Sequence, residues 1–359
     1  MQRRTRSLVL TALAAASALV LSACGGGASD DVKSPENAAA VTSGSGTDAP
    51  VDPAALNLIA YAVPKVGFDL LIPGFQATEA GKGVTFAQSY GASGDQSRKV
   101  ADGAPADVVN FSVTPDITRL VDAGLVDADW NAGEHGGIPF GSVVTLVTRE
   151  GNPLGIKDWD DLLKDGVEVI SPNPQSSGSA KWNLLAPYAA KSDGGKNPEA
   201  GLAFVKSLVT DHFRVRPKSG REASEAFLQG QGDVLISYEN EAIFLKEQGE
   251  KGINEKIEYV NPPVTFKIEN PVAVLNNSTH AAQAKAFVDY LFTPAAQQLW
   301  ADAGFRPVDP AVFKTNEAKF PAGEKIWNID DLGGWGTVDP QLFKAETGAI
   351  SKIYDEATS

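Results

Sequence analysis

The sequence predicts an α/β fold with largely parallel sheets, and two observations support this prediction. The 359 residues are 43% hydrophobic and only 21% charged, which is enough apolar material for roughly two domain cores. Short apolar segments of strand length also alternate with segments of helical pattern along most of the chain. This alternation is typical of βαβ units, in which helices cover a parallel sheet.

Each predicted strand is a short apolar run, and each predicted helix is a segment with apolar residues on one face. The first strand is 56–61 (LNLIAY), a continuous apolar run typical of a buried strand. The other predicted strands are 84–88, 107–111, 143–148, 167–170, 234–237 and 271–276. The predicted helices are 68–78, 96–102, 114–123, 159–163, 181–190, 201–208, 224–229, 239–248 and 279–292. A helix therefore follows every predicted strand, as βαβ units require.

The N-terminus predicts export. Three arginines within residues 1–7 precede the apolar segment 8–20, and small residues lead to Cys24, the only cysteine of the chain. This is the order of regions in a secretory signal peptide, and it is similar to the signals of bacterial lipoproteins. The similarity implies removal of residues 1–23 and attachment of lipid to Cys24, which would anchor the protein to the outer face of the cell membrane. An ordinary signal peptide with a chance cysteine is the alternative.

The charge of the chain excludes some partners. The formal net charge is −14, and removal of residues 1–23 would change it to −17, because the signal contains three arginines and no acidic residue. A chain this acidic has no basic field for nucleic acid. Residues 24–53 are mostly small and polar and predict a flexible tether. No later apolar run has the roughly 18 residues that span a bilayer.

The motifs of common enzymes are missing from the sequence. The three histidines are isolated, and a single cysteine excludes a site built from several thiolates. There is no G-x-S-x-G motif, no serine three residues before a lysine, and no phosphate-binding loop ending in Gly-Lys-Ser/Thr. We therefore expect no enzyme activity, no metal and no cofactor.

Three segments of small residues precede a predicted helix, and the first two of them also follow a predicted strand. They are 90–96 (YGASGDQ), 171–180 (SPNPQSSGSA) and 217–221 (PKSGR). Backbone N–H groups at a helix N-terminus lack acceptors within the helix, and the helix dipole favours negative charge there. One such segment alone is explained by a helix cap. Three in one exported chain favour a site for an oxyanion.

Six motifs resemble the periplasmic sulfate- and thiosulfate-binding proteins of ABC importers. The most specific are PNPQSSG within 172–178 and ENE within 239–241. The six are 151–153 (GNP), 158–162 (DWDDL), 172–183 (PNPQSSGSAKWN), 232–242 (GDVLISYENEA), 305–307 (FRP) and 333–335 (GGW). The resemblance extends from about residue 56 to the C-terminus.

This resemblance implies a type II periplasmic binding protein fold, with two lobes joined by two crossing strands. It places lobe one at about 54–140 and 266–345, lobe two at about 141–265, and a C-terminal tail at 346–359. It implies a monomer without a cofactor that captures sulfate between the lobes and delivers it to an ABC permease. In this family neutral hydrogen-bond donors at helix N-termini hold the ligand.

The resemblance also identifies site residues. The matching positions are Ser93, Gly178 and Ser179 through their backbone N–H groups and Ser177 through its hydroxyl. Ser179 replaces a second glycine of the family, which leaves the backbone donor in place.

Three positions depart from the family pattern. Tyr238 replaces a Trp that donates to sulfate. Segment 219–222 (SGRE) is one residue shorter than the corresponding turn, so the backbone donor is Gly220 or Arg221, and we expect Arg221. Ala62 follows Tyr61 where the family has an Asp that helps to organise the pocket.

Several alternatives stay open from the sequence. Thiosulfate, molybdate and phosphate are the competing ligands. Hydrogen phosphate is disfavoured in a pocket of donors, because leaving its O–H group without an acceptor costs about 1–3 kcal/mol. The two other classes are an exported hydrolase or transferase that uses Ser177 and an adhesion protein with a vestigial anion site.

Overall fold

The computed structural model describes residues 54–321 and 323–358, so the predicted signal peptide, tether and Cys24 lie outside it. The strands are Ala55–Tyr61 (β1), Thr85–Gly91 (β2), Val108–Asn110 (β3), Phe140–Arg149 (β4), Val169–Ile170 (β5), Phe213–Val215 (β6), Val234–Tyr238 (β7), Ile257–Val260 (β8), Val264–Glu269 (β9), Val272–Val274 (β10), Arg306–Pro307 (β11) and Lys325–Trp327 (β12). The α-helices are Lys65–Gln76 (α1), Ser93–Ala101 (α2), Thr114–Asp122 (α3), Gly178–Lys191 (α4), Pro198–Ser207 (α5), Gly220–Leu228 (α6), Glu239–Glu250 (α7), Ala281–Tyr290 (α8), Pro294–Asp302 (α9), Pro310–Asn316 (α10), Trp335–Val338 (α11) and Ala349–Glu356 (α12). The α/β fold class is confirmed.

The strands form two sheets. The smaller has the order β10-β3-β1-β2, with β1 parallel to β2 and β3, and β10 antiparallel to β3. The larger has the order β12-β9-β4-β7-β5-β6, and β8 and β11 also pair with β4. In the larger sheet β4 is antiparallel to all four of its partners, so the expectation of largely parallel sheets is wrong for this sheet.

The two-lobe architecture follows from the path of the chain. After β3 the chain leaves the smaller sheet and enters the larger one through β4. It returns through β9 to β10, which pairs with β3. β4 and β9 are antiparallel neighbours, with Gly141 opposite Glu269, so these two strands carry the chain between the sheets. β11 and β12, which fall within the predicted lobe one, pair with β4 and β9 at this junction.

Each sheet is buried on both faces. In β1, Leu56 and Leu58 belong to one core together with Phe68 of α1, whereas Ile59 belongs to a second core together with Ile117 of α3. Successive side chains of a strand point to opposite faces, so helices cover both sides of the sheet. The segments of small residues begin where β2, β5 and β6 end.

The helices that follow these segments begin earlier than predicted. α2 begins at Ser93 instead of residue 96, α4 at Gly178 instead of residue 181, and α6 at Gly220 instead of residue 224. The predicted site residues of these segments therefore belong to the first turn of a helix or to the residue just before it.

Candidate functional site

The N-termini of α2, α4 and α6 converge in one buried region at the junction of the two sheets, which we call the cleft. α2 and α4 are joined by a hydrogen bond of 3.0 Å from the Gly94 N–H to the Ser176 carbonyl. α4 and α6 are in contact, since a Cβ atom on Gly220 would lie 3.1 Å from Ser179 Oγ. Each helix follows the carboxyl end of a strand, namely β2, β5 or β6. Three positive helix ends therefore face one small volume.

The helix ends in the cleft carry backbone donors that the protein does not use. Within residues 54–321 and 323–358, no hydrogen bond runs from the N–H of Ser93, Gly178, Ser179 or Arg221 to a protein acceptor. The side chain of Ser177, which precedes α4, is 2% exposed and makes no capping bond. Unused N–H groups at a helix N-terminus are the donors that bind oxyanions.

Glycine is required at the start of α4 because the opposite lobe lies against it. A Cβ atom on Gly178 would lie 2.8 Å from Ser112 Cβ and 3.1 Å from Val113 Cγ2, closer than side chains pack. Ser112 follows β3 of the smaller sheet, whereas α4 follows β5 of the larger sheet. The backbone of α4 therefore forms part of the contact between the lobes.

Tyr238 spans the same contact. It ends β7, is 1% exposed, and its Oη atom lies 2.7 Å from Ser112 Oγ. Burial raises the pKa of Tyr238 well above its usual value, and the polar groups of Ser112, Ser179 and Asn270 offset this only in part. The phenol keeps its proton at neutral pH and can act as a donor.

A family model for bacterial extracellular solute-binding proteins matches residues 29–306. The chain belongs to this family. It is 39% identical to a sulfate-binding protein of Synechococcus elongatus over 98% of this chain and 96% of that protein. It is 34% identical to a thiosulfate-binding protein of Pseudomonas aeruginosa over 82% of this chain and 91% of that protein. The structure of the sulfate-binding protein SubI from Mycobacterium tuberculosis matches with a TM-score of 0.78 and 61% identity, over 81% of this chain and all of that chain.

These comparisons confirm the resemblance that the motifs predicted, together with the two-lobe fold. The chain is an exported solute-binding protein. In the described residues no helix is long and apolar enough to cross a membrane, and no cluster of three or more His, Cys, Asp or Glu side chains is arranged to hold a metal ion.

The structure of this solute-binding protein brings the six predicted site residues to one cleft. They are Ser93, Ser177, Gly178, Ser179, Arg221 and Tyr238. Arg221 is the second residue of α6, and its backbone N–H group therefore has no acceptor within the helix. Its guanidinium turns to Glu241, which is 1% exposed, with 3.1 Å between Arg221 Nη1 and Glu241 Oε1. The cationic side chain near the cleft is thus paired with a buried carboxylate.

Other acidic side chains near the cleft are also paired. Glu239 is fully buried and forms two bonds with Arg306, of 2.6 Å to Nε and 3.0 Å to Nη2. Asp116 accepts a hydrogen bond from Ser93 Oγ at 2.6 Å and pairs with Arg119. The Ser93 hydroxyl is thus committed to the protein, and Ser93 offers its backbone N–H to the cleft.

Sequence reasoning missed two features of the cleft. Ser112 contacts Tyr238 from a segment that carries no recognisable motif. The Tyr61 hydroxyl is buried and makes no hydrogen bond to another described residue. Burial, Tyr238 and Glu241 together raise the pKa of Tyr61 well above its usual value. Where the family has an Asp after this tyrosine, the chain has Ala62 and then buried Val63, which lies against Gly220.

Proposed function

We propose that this protein captures sulfate between its two lobes and delivers it to the permease of an ABC importer. The observation that carries the proposal is the convergence of three helix N-termini on a cleft whose donors are neutral. Ser93, Gly178, Ser179 and Arg221 donate through backbone N–H groups, and Ser177 and Tyr238 donate through hydroxyls. The names of the relatives, sulfate-binding and thiosulfate-binding protein, support the same ligand class.

Sulfate is favoured over hydrogen phosphate by the balance of donors and acceptors. A fully ionised dianion accepts hydrogen bonds at every oxygen, whereas hydrogen phosphate also brings an O–H group that needs an acceptor. Of the buried carboxylates near the cleft, Glu239 and Asp116 accept hydrogen bonds within the protein, and Glu241 forms an ion pair with Arg221. A hydrogen phosphate O–H left without an acceptor costs about 1–3 kcal/mol.

Calorimetric titration of the mature protein with sulfate, thiosulfate, molybdate and phosphate tests this proposal. We expect sulfate to bind most tightly, with phosphate at least about tenfold weaker at neutral pH. If another anion binds more tightly than sulfate, the assigned ligand is wrong but the oxyanion site stands. No heat and no thermal stabilisation with any of the four anions would refute the function and favour an adhesion role.

We further propose that the protein is not an enzyme. Ser177, which directly precedes α4, has no hydrogen bond to a histidine in the described residues. His212 Nδ1 lies 2.9 Å from the Val167 carbonyl, His135 stacks on Phe292, and His280 precedes α8. A screen of sulfate esters is expected to show no turnover, and any turnover lost in Ser177→Ala would overturn this assignment.

We also propose that the protein is a monomer, that lipid on Cys24 anchors it to the membrane, and that residues 24–53 form a tether. Multiple acyl chains on one cysteine give lasting attachment, since each buried CH₂ contributes about 0.8 kcal/mol. Fractionation of cells that express the wild type and Cys24→Ser tests the anchor. The wild type is expected in the membrane fraction and the variant in the soluble fraction, and equal distribution would contradict lipid attachment. Light scattering of the purified body tests the monomer.

A further inference from the structure

Ser112 is held rigidly by hydrogen bonds from three parts of the fold. Its N–H donates to Ser93 Oγ at 2.9 Å. Its carbonyl accepts from Trp182 Nε1 at 2.7 Å and from Asn270 Nδ2 at 2.9 Å. The residue is fully buried. The bond from Trp182 comes from α4 of the opposite lobe, so in the closed conformation these contacts fix the Ser112 backbone and place its hydroxyl opposite Tyr238.

The hydroxyls of Ser112 and Tyr238 have one proton each, and their oxygens are 2.7 Å apart. One proton lies in the bond between the two oxygens, which leaves one O–H group free to donate into the cleft. The phenol is the more acidic of the two groups and therefore the stronger donor to an anion. A bond from the serine to the phenol oxygen also strengthens the phenol as a donor, because successive hydrogen bonds polarise each other.

We propose that Ser112 is a positioning residue of the anion site, whose hydroxyl donates to Tyr238 Oη and so directs the phenolic proton to the bound oxyanion. The inference rests on the proposed function and deepens it. Because Ser112 belongs to one lobe and Tyr238 to the other, their bond forms only when the lobes close. Ser112 thereby links closure of the lobes to the orientation of a ligand donor.

A double-mutant cycle measured by sulfate titration tests this role. Ser112→Ala is expected to weaken binding about tenfold, as the loss of one buried hydrogen bond does. Tyr238→Phe is expected to weaken it roughly 10- to 150-fold, as the loss of a bond to a charged group does. When Ser112→Ala is added to Tyr238→Phe, affinity is expected to fall by less than about twofold, because the serine acts through the phenol.

A merely structural role of Ser112 would weaken binding in both backgrounds alike, and that result overturns the inference. Unchanged affinity in Ser112→Ala overturns it as well. Ser351→Ala is the matched control, because Ser351 is 1% exposed and bonds to the Phe343 carbonyl, away from the cleft residues. If Ser112→Ala does not fold, Ser112→Cys replaces the hydroxyl with a weak donor and is expected to give the same pattern.

The wild-type titration separates this inference from the proposed function. If the wild type binds none of sulfate, thiosulfate, molybdate and phosphate, the function itself is refuted, whatever the variants do. If the wild type binds sulfate and the two substitutions are additive, the function stands and only the role of Ser112 is refuted.

Discussion

Replacement of Gly178 with Ala tests whether the ligand is held by closure of two lobes. The added Cβ atom would lie 2.8 Å from Ser112 Cβ, 2.9 Å from Ser112 Oγ and 3.1 Å from Val113 Cγ2. All three atoms belong to the opposite lobe. Gly178 has no positive φ angle, so alanine strains neither the backbone nor the helix that begins there. The penalty therefore falls on the closed conformation.

The size of the penalty follows from the cost of overpacking. One extra methyl group in a well-packed contact costs about 1–3 kcal/mol. Since sulfate binding requires closure, the same free energy is lost from binding, which corresponds to roughly 5- to 150-fold weaker affinity. An open protein avoids the clash. The melting temperature without sulfate should therefore stay close to that of the wild type, while the rise caused by sulfate becomes smaller.

Calorimetry gives the affinity, and small-angle scattering with saturating sulfate gives the closure. The matched control is Gly336→Ala, because a Cβ atom on Gly336 meets nothing within 4 Å. Its affinity should stay within about twofold of the wild type. Wild-type affinity in Gly178→Ala would refute the closure argument. A large loss of stability without sulfate would also refute it, since the contact would then exist in the unliganded protein.

Three further predictions concern the Ser177 donor, the buried Glu239–Arg306 ion pair and Tyr238. Ser177→Ala should weaken sulfate binding by about 1.5–3 kcal/mol in calorimetry, as the loss of a hydrogen bond to a charged group does. Arg306→Met leaves buried Glu239 without its cation and should lower the free energy of unfolding in urea by about 3–5 kcal/mol, whereas Lys65→Met at an exposed pair should cost less than about 1 kcal/mol. The free energy of unfolding should fall as pH rises above 10, because the raised pKa of Tyr238 keeps its proton in the folded protein while the unfolded chain ionises near 10. Tyr238→Phe should make this fall shallower in urea titrations between pH 8 and 11, and an identical slope would contradict the assignment.

The donor segments could be predicted from the sequence, but the helix starts could not be placed. Serine and glycine are poor helix formers, so propensity disfavours a helix at 93–94, at 178–179 and at Gly220. The first turn of a helix is where this preference matters least, because its N–H groups have no acceptors in the helix in any case. The residues that disfavour a helix in the sequence are therefore the ones that leave its N-terminus open to a ligand.

The larger sheet could not be predicted because its pairings join distant parts of the chain. β8 and β9 flank Pro262 and Pro263, which interrupt the strand pattern. Both strands are stabilised by pairing with β4, more than 100 residues earlier in the chain. Ser112 was missed for the same reason. Its role depends on Tyr238, 126 residues away, and no local motif marks it.

An acidic protein can bind an anion here because the groups next to the ligand are neutral hydrogen-bond donors, although the net charge of the whole chain is negative. The buried acid Glu239 pairs with Arg306 and Glu241 with Arg221, so neither adds a net charge beside the ligand. What remains facing the cleft is a set of backbone N–H groups and hydroxyls at helix ends. Such donors act over a few ångströms, whereas the surface charge of the lobes is screened over about 8–10 Å. Selectivity between sulfate and hydrogen phosphate then depends on the proton that phosphate carries. A pocket that bound anions only by its positive charge would not distinguish the two.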